Sequence, residues 1–204
     1  VDYGMGNLRS VAKALAHVAP ERSIVVSADP AVIRGAARVV LPGQSAMPDC
    51  ILGLDQSGLR GVVREVIRDR PFLGICLGMQ LLFDESEEFG PVRGLGILPG
   101  KVRRFVPREG ARKIPHMGWN TLTVTRDHAL LAGLPTGPQG LHAYFVHSYH
   151  FVPESRADVV AETEYGGPVT ALVAHGNIAG TQFHPEKSQA LGLGLIANFL
   201  KWMP

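Results

Sequence analysis

The pentapeptide Gly74-Ile75-Cys76-Leu77-Gly78 constrains the fold of this chain more than any other feature. In front of it, Pro71-Phe72-Leu73-Gly74-Ile75 is a short apolar run of the kind that forms a buried strand, and behind it Met79-Gln80-Leu81-Leu82-Phe83 continues as a helix. A cysteine between two glycines at a strand-to-helix junction predicts a sharp turn. Such a turn holds the side chain in an unfavourable backbone region and lifts its sulfur above the sheet, beside a helix N-terminus. That setting favours the thiolate, which is the nucleophilic form.

Late in the chain, His184-Pro185-Glu186 supplies what such a sulfur lacks. In an extended segment, residues i and i+2 share a face, so His184 and Glu186 point together while Pro185 restricts the backbone between them. A histidine takes a thiol proton and a carboxylate orients the ring. Each half alone is a weak signal, because Gly-x-Cys-x-Gly arises by chance, His-Pro-Glu is commonly a loop, and a free cysteine is commonly a buried structural residue. Together, each directly after a β-rich run, they read as nucleophile, base and orienting acid.

The surrounding pattern fits an α/β domain. Asn7 to His17 has helical spacing through Leu8, Val11, Ala12 and Leu15; Ser23-Ile24-Val25-Val26 reads as a strand; Asp29-Pro30 reads as an N-cap with proline at the first helical position. Arg38-Val39-Val40-Leu41 is a buried strand ending at Pro42-Gly43, and Leu59 to Arg68 is helical with Val62, Val63, Val66 and Ile67 on one side. Strands alternating with helices predict an open, mostly parallel sheet with helices on both faces, a flavodoxin-like arrangement with active residues at the carboxyl ends of strands. From about Gly94 the pattern turns to short β runs (101–105, 121–124, 144–146, 159–161 and 178–183), which add antiparallel strands, before a closing helix over 189–201. With no internal repeat or linker, residues 1–204 are expected to form one domain. Val1-Asp2-Tyr3 reads as the tail of a strand that begins outside this sequence.

Composition excludes several classes of function. A net charge of +2 and the absence of any long basic run argue against nucleic-acid binding, and Arg103-Arg104, the densest basic pair, reads as surface. The two cysteines do not make a disulfide framework. Cys50 reads as structural, and a catalytic thiol suits a reducing cytoplasm. Neither a span of transmembrane length nor a signal-peptide pattern is present, so a soluble cytoplasmic protein is expected. Gly4-Met5-Gly6 lacks the third glycine of a dinucleotide fingerprint, because Arg9 stands there. His142, His147 and His150 do not share one strand parity and lack a completing ligand, so no metal is expected. Neither is any cofactor. Pro42-Gly43-Gln44-Ser45, another turn after a buried strand, is a candidate for presenting backbone N–H groups to an anion.

With these pieces assembled, the chain resembles the triad-type class I glutamine amidotransferases. The resemblance is carried by Cys76-Leu77-Gly78-Met79-Gln80 and His184-Pro185-Glu186, and it extends over essentially the whole chain. Asp2 to Ser10, Pro115 to Asn120 and Tyr144 to Tyr149 narrow it toward the glutaminase subunits of imidazole glycerol phosphate synthases. The resemblance implies that Cys76 attacks the side-chain amide of glutamine, that His184 and Glu186 complete the triad, and that N–H groups of Leu77 and of the Gly43-Gln44 segment hold the oxyanion. It further implies that Gln80 and Ser148-Tyr149 hold the substrate. Gln80 also lies one helical turn from Cys76. The implied partner is a cyclase subunit with a (βα)8-barrel fold, forming a heterodimer, with Asn7, Trp119 and Tyr144 near the interface; packing in the core is the alternative role for Trp119. Ser45 stands where the family's oxyanion loop usually has glycine.

Other readings keep the elbow and change the reaction it serves. One is the glutaminase subunit of another synthase, and another is a stand-alone cysteine hydrolase acting on γ-glutamyl peptides. A non-catalytic regulatory subunit is the reading from another class. The intact Cys76, His184 and Glu186 disfavour it.

Overall fold

The computed structural model describes residues 1–106 and 113–204. In chain order the elements are α1 (Leu8–Val18), α2 (Pro30–Gly35), β1 (Val39–Gly43), α3 (Met47–Gln56), α4 (Leu59–Val66), β2 (Phe72–Cys76) and α5 (Leu77–Gln80). They continue with β3 (Phe83–Ser86), β4 (Val92–Arg93), β5 (Leu98–Arg104), β6 (His116–Thr121), β7 (Thr123–Val124), β8 (His142–His147) and β9 (Tyr149–Pro153). The last are β10 (Val159–Glu164), β11 (Pro168–His175), β12 (Ile178–Thr181) and α6 (Gln189–Lys201).

The main sheet has the order β1-β2-β12-β11-β10-β7. Its site-bearing strands β1, β2 and β12 are parallel, and β11, β10 and β7 extend it in antiparallel fashion, which is the α/β arrangement with added antiparallel strands expected from the alternating pattern. A second sheet runs β4-β3-β5-β9, and β6 pairs with β8 in a two-stranded ribbon. Parallel pairing buries both faces of a strand, and β2 is buried at every position. Leu73 and Ile75 face a cluster with Val11 and Leu15 of α1 and Leu191, Leu195 and Phe199 of α6. Phe72 faces the opposite cluster, with Ile33 of α2, Leu54 of α3 and Val62, Val63 and Val66 of α4. No described helix is long and apolar enough to cross a membrane.

Local chemistry sets several boundaries. Asp29 caps α2 by accepting from the Ala31 N–H at 2.8 Å, with Pro30 at the first position. The helix expected after Cys76 is a single turn: the carbonyls of Leu81 and Leu82 accept from the N–H groups of Leu95 and Ile97, so the apolar run turns into the second sheet. The run 121–124 is broken at Leu122, whose carbonyl accepts from Gly137 N–H. Ser23 to Val26 joins no ladder. Residues 1–3 lie between it and β1, tied by Asp2 N–H to Ser27 O and the Val1 amine to Val40 O, both 2.9 Å. An apolar cleft of about 550 Å3, lined by Val1, Leu15, Val25, Val39 and Phe199 among others, borders these segments.

Candidate active site

Cys76 ends β2 with φ 54° and ψ −110°, a region side-chain-bearing residues rarely occupy. The surrounding glycines show why it is held there. A Cβ on Gly74 would lie 2.6 Å from the Gly78 carbonyl oxygen, one on Gly78 would lie 1.8 Å from the Leu41 oxygen, and one on Gly43 would lie 2.5 Å from the Gly78 nitrogen. The end of β1 and the first turn of α5 therefore touch backbone to backbone, and β1 pairs in parallel with β2 so that Gly43 stands opposite Cys76. This close approach brings Gly43 beside Leu77. Ser45, two residues on, has φ 83°, so it adopts the glycine-favouring conformation despite its side chain, with its hydroxyl donating to Asp49 at 2.9 Å. Cys50 is fully buried, donates to the Gln44 carbonyl at 3.4 Å, and is pushed up to about 11 by burial.

His184 follows β12 and is anchored by β8. Its N–H donates to the Tyr144 carbonyl at 3.0 Å, and Ser188 Oγ accepts from Tyr144 N–H at 2.9 Å while donating to the His184 carbonyl at 2.6 Å. The His-Pro-Glu segment is not extended throughout: His184 is extended, but Pro185–Lys187 form a 3-10 turn, started by the fixed φ of proline. The turn still delivers the expected pairing, with His184 Nδ1 2.9 Å from Glu186 Oε1 and side chains 6% and 0% exposed. Cys76 lies close enough to act on the imidazole. Burial alone would push the imidazole down, but Cys76 and Glu186 beside it outweigh burial and raise the group to about 10.

Gln80 is buried on α5. Its Nε2 donates to the Tyr149 carbonyl at 3.1 Å and to Gln182 Oε1 at 3.0 Å, so Gln80 and the Ser148-Tyr149 segment come together. Its Oε1 is buried with no partner among the described residues. Four contributors escape a reading of the sequence alone. Ser188 fixes the His184 backbone, as above. Gln182 lies between Gln80 and Cys76, and strand parity with His184 is the signal that points to it. Glu88 accepts from Met47 N–H at 2.7 Å and ties the start of α3 to the segment after β3; burial pushes its carboxyl up, against the pull of that hydrogen bond. His147 packs against His116, with His147 Nε2 3.1 Å from His116 Nδ1. His142 is exposed on β8 and His150 stacks on Phe105, and among the described residues no group of three His, Cys, Asp or Glu is arranged to hold a metal.

Trp119 is not a core residue. It is 47% exposed on β6, opposite Tyr144 on β8, with ring centroids 5.6 Å apart. Met117, 62% exposed and opposite Val146, lies on the same face by strand parity. Lys187 Nζ lies 5.9 Å from the Tyr144 ring centroid, which links this face to the turn that carries Glu186. Asn7 stands half-buried at the head of α1 without capping it through its side chain.

The class-I glutamine amidotransferase family model matches residues 1–202. The imidazole glycerol phosphate synthase subunit HisH of Aromatoleum aromaticum is 53% identical over 210 residues, covering 100% of this chain and 97% of that protein. HisH of Nitrosomonas europaea is 52% identical over 210 residues, with coverage of 100% and 97%. Among solved structures, a glutamine amidotransferase aligns with a TM-score of 0.73 at 20% identity, over 97% of this chain and 94% of that one. A putative GMP synthase subunit from Thermoplasma acidophilum aligns with a TM-score of 0.69 at 21% identity, over 98% and 90%. The structural likenesses speak to fold alone, whereas the family match and the full-length relatives speak to descent: the chain belongs to the class-I glutamine amidotransferase family.

Proposed function

We propose that this chain is the glutaminase subunit of an imidazole glycerol phosphate synthase in histidine biosynthesis, and that it works through Cys76, His184 and Glu186. The observation that carries the reading is the buried Glu186–His184 pair set against a cysteine in a strained turn, in a chain that matches HisH proteins over its full length. Cys76 thiolate attacks the amide carbon of glutamine, forming the S–C bond and placing charge on the carbonyl oxygen. N–H groups of Leu77 and of the Gly43-Gln44 segment receive that charge. His184, held protonated, gives its proton to the departing nitrogen as the C–N bond breaks, leaving a γ-glutamyl thioester and ammonia. It then takes a proton from water, which attacks the thioester, breaks the S–C bond and releases glutamate. Glu186 holds the Nδ1 proton in place throughout. The unpartnered Oε1 of Gln80 suits an N–H of the substrate, with Ser148 and Tyr149 beside it.

Ammonia is largely protonated in neutral water, so a synthase gains by receiving it through a water-poor path. The partner in this reading is a (βα)8-barrel cyclase forming a heterodimer, docked on the face of Met117, Trp119, Tyr144 and Val146, with Asn7 also assigned to the interface. An apolar exposed pair such as Met117 and Trp119 favours a docked subunit over a stand-alone hydrolase. Lys187 and Ser188 join that face to the His184 turn, a physical route by which docking reaches the triad. The test measures glutamate release by the isolated chain and by its complex with the cyclase. Low release alone and a rise with partner and cyclase ligand is expected. Equal release with and without partner refutes the coupling. In the complex, Cys76→Ala abolishes synthesis from glutamine and spares synthesis from ammonium salt; loss of both refutes the assigned role of Cys76.

A further inference from the structure

Gln182 is wholly buried beside the reacting sulfur, with Nε2 3.8 Å from Cys76 Sγ. Which end of an amide faces a neighbour is normally ambiguous, but here the partners decide it. Tyr149 O is a carbonyl and only accepts, so the Gln80 atom 3.1 Å from it is nitrogen. That nitrogen also faces Gln182 at 3.0 Å, so the Gln182 atom there is oxygen. The other end of Gln182, facing the sulfur, is therefore its NH2. The same carbonyl fixes His147: Nδ1 lies 2.8 Å from Tyr149 O and must carry the proton, so Nε2 accepts from His116 Nδ1–H at 3.1 Å. Burial pushes His147 down to about 3, which keeps Nε2 free of a proton at working pH. A directed series of donors thus fixes the substrate-side segment: His116 to His147, His147 and Gln80 to the Tyr149 carbonyl, Gln80 to Gln182, and Gln182 to Cys76.

We propose that Gln182 is a further residue of the glutaminase site, donating a side-chain N–H to the Cys76 sulfur and thereby stabilising its thiolate, with the direction of that donor set by Gln80 and the Tyr149 carbonyl. The inference rests on Cys76 being the nucleophile. A donor to sulfur favours the charged form and aims its lone pairs, and inside a buried site the effect is larger than in water. Among the described residues, the titratable groups that act on Cys76 are His184, Cys50 and Tyr3. Burial holds the last two neutral, since it raises both. Gln182 is uncharged, so removing its donor alters none of these charges.

The experiment follows alkylation of Cys76 by iodoacetamide against pH, read on the Cys76 peptide by mass spectrometry, in the full chain and in its Gln182→Met and Gln182→Glu variants. Methionine keeps the volume and loses the donor; glutamate keeps the acceptor toward Gln80 and replaces the donor with an oxygen. Each variant is expected to move the alkylation midpoint up by about one pH unit, which is about a tenfold slower reaction below it. Glutaminase kcat in the cyclase complex is expected to fall about tenfold or more with KM changed less than about threefold. An unchanged alkylation profile in a variant that melts like the parent overturns the proposal. Where neither variant folds, the Gln182 side-chain 15N–1H resonance of the unaltered chain decides: it must shift as the sulfur is titrated and again on alkylation, and a resonance indifferent to both overturns the proposal. Glutamate release by Cys76→Ala would remove the nucleophile assignment, a result separate from the alkylation profile, which tests the donor alone.

Discussion

Gly78→Ala is the sharpest test of how Cys76 is held. The added Cβ would sit 1.8 Å from the Leu41 oxygen and 2.9 Å from the Leu41 carbonyl carbon. Carbon–oxygen contacts normally begin near ~3.3 Å, so the strand and the turn must separate by about 1.5 Å. The obstructing atoms are backbone on both sides, so no rotamer change relieves the clash. Overpacking of a filled interior costs about 1–3 kcal/mol, and this site belongs at the upper end. For a chain of this length, about 3 kcal/mol lowers Tm by roughly 6–12 °C. The separation would also displace Pro42 to Gln44 from Cys76, and about 1 Å of misplacement costs on the order of 100-fold in rate. Gly61→Ala is the matched control: it lies exposed in α4 with nothing within 4 Å of the added carbon, and the same substitution there should stabilise by about 0.4–1 kcal/mol. Thermal unfolding by circular dichroism and glutamate release in the cyclase complex measure both. A Gly78→Ala protein with parental Tm and kcat would refute the argument that only a hydrogen fits between β1 and α5.

If Trp119 anchors the proposed partner subunit, Trp119→Ala should weaken that association by about 30-fold or more while leaving Tm of the free chain within about 1 °C; titration calorimetry reads the first and a melt the second. Stability should fall as pH drops from about 6.5 to 5, because the unfolded chain then binds a proton at His147 that the folded chain, with that group pushed down to about 3, refuses. The slope from this residue approaches about 1.4 kcal/mol per pH unit below the unfolded pKa, and urea titrations of His147→Asn, which lacks the titrating ring, should show a shallower fall. Ser45→Gly removes left-handed strain but also the Asp49 hydrogen bond, so its urea midpoint should change by less than about 1 kcal/mol equivalent.

Periodicity and local chemistry made much of this molecule legible from its residues. The closing helix 189–201 and the capped start of α2 follow from apolar spacing and from Asp29-Pro30. The elbow was legible because a cysteine between glycines after an apolar run has few conformations that bury the strand and leave the sulfur usable. Where local pattern misled, long-range hydrogen bonding had won. The apolar residues after Gln80 look helical, but Leu95 and Ile97 claim their carbonyls for a second sheet. Ser23 to Val26 has the composition of a strand but joins no ladder, the neighbouring bond falling at Ser27.

The candidate reacting groups are legible in the chain because a thiol between glycines and an imidazole two residues from a carboxylate are matters of residue type and spacing, present whatever the shape. Their orientation comes from the folded chain. That Gln182 offers nitrogen to the sulfur, that His147 is a neutral acceptor, and that Trp119 faces outward beside Tyr144 all depend on which atoms meet across β6, β8, β9 and β12. Hydrogen-bond direction is set by complementary partners at about 3 Å, and those partners are far apart in sequence, so no local pattern carries it.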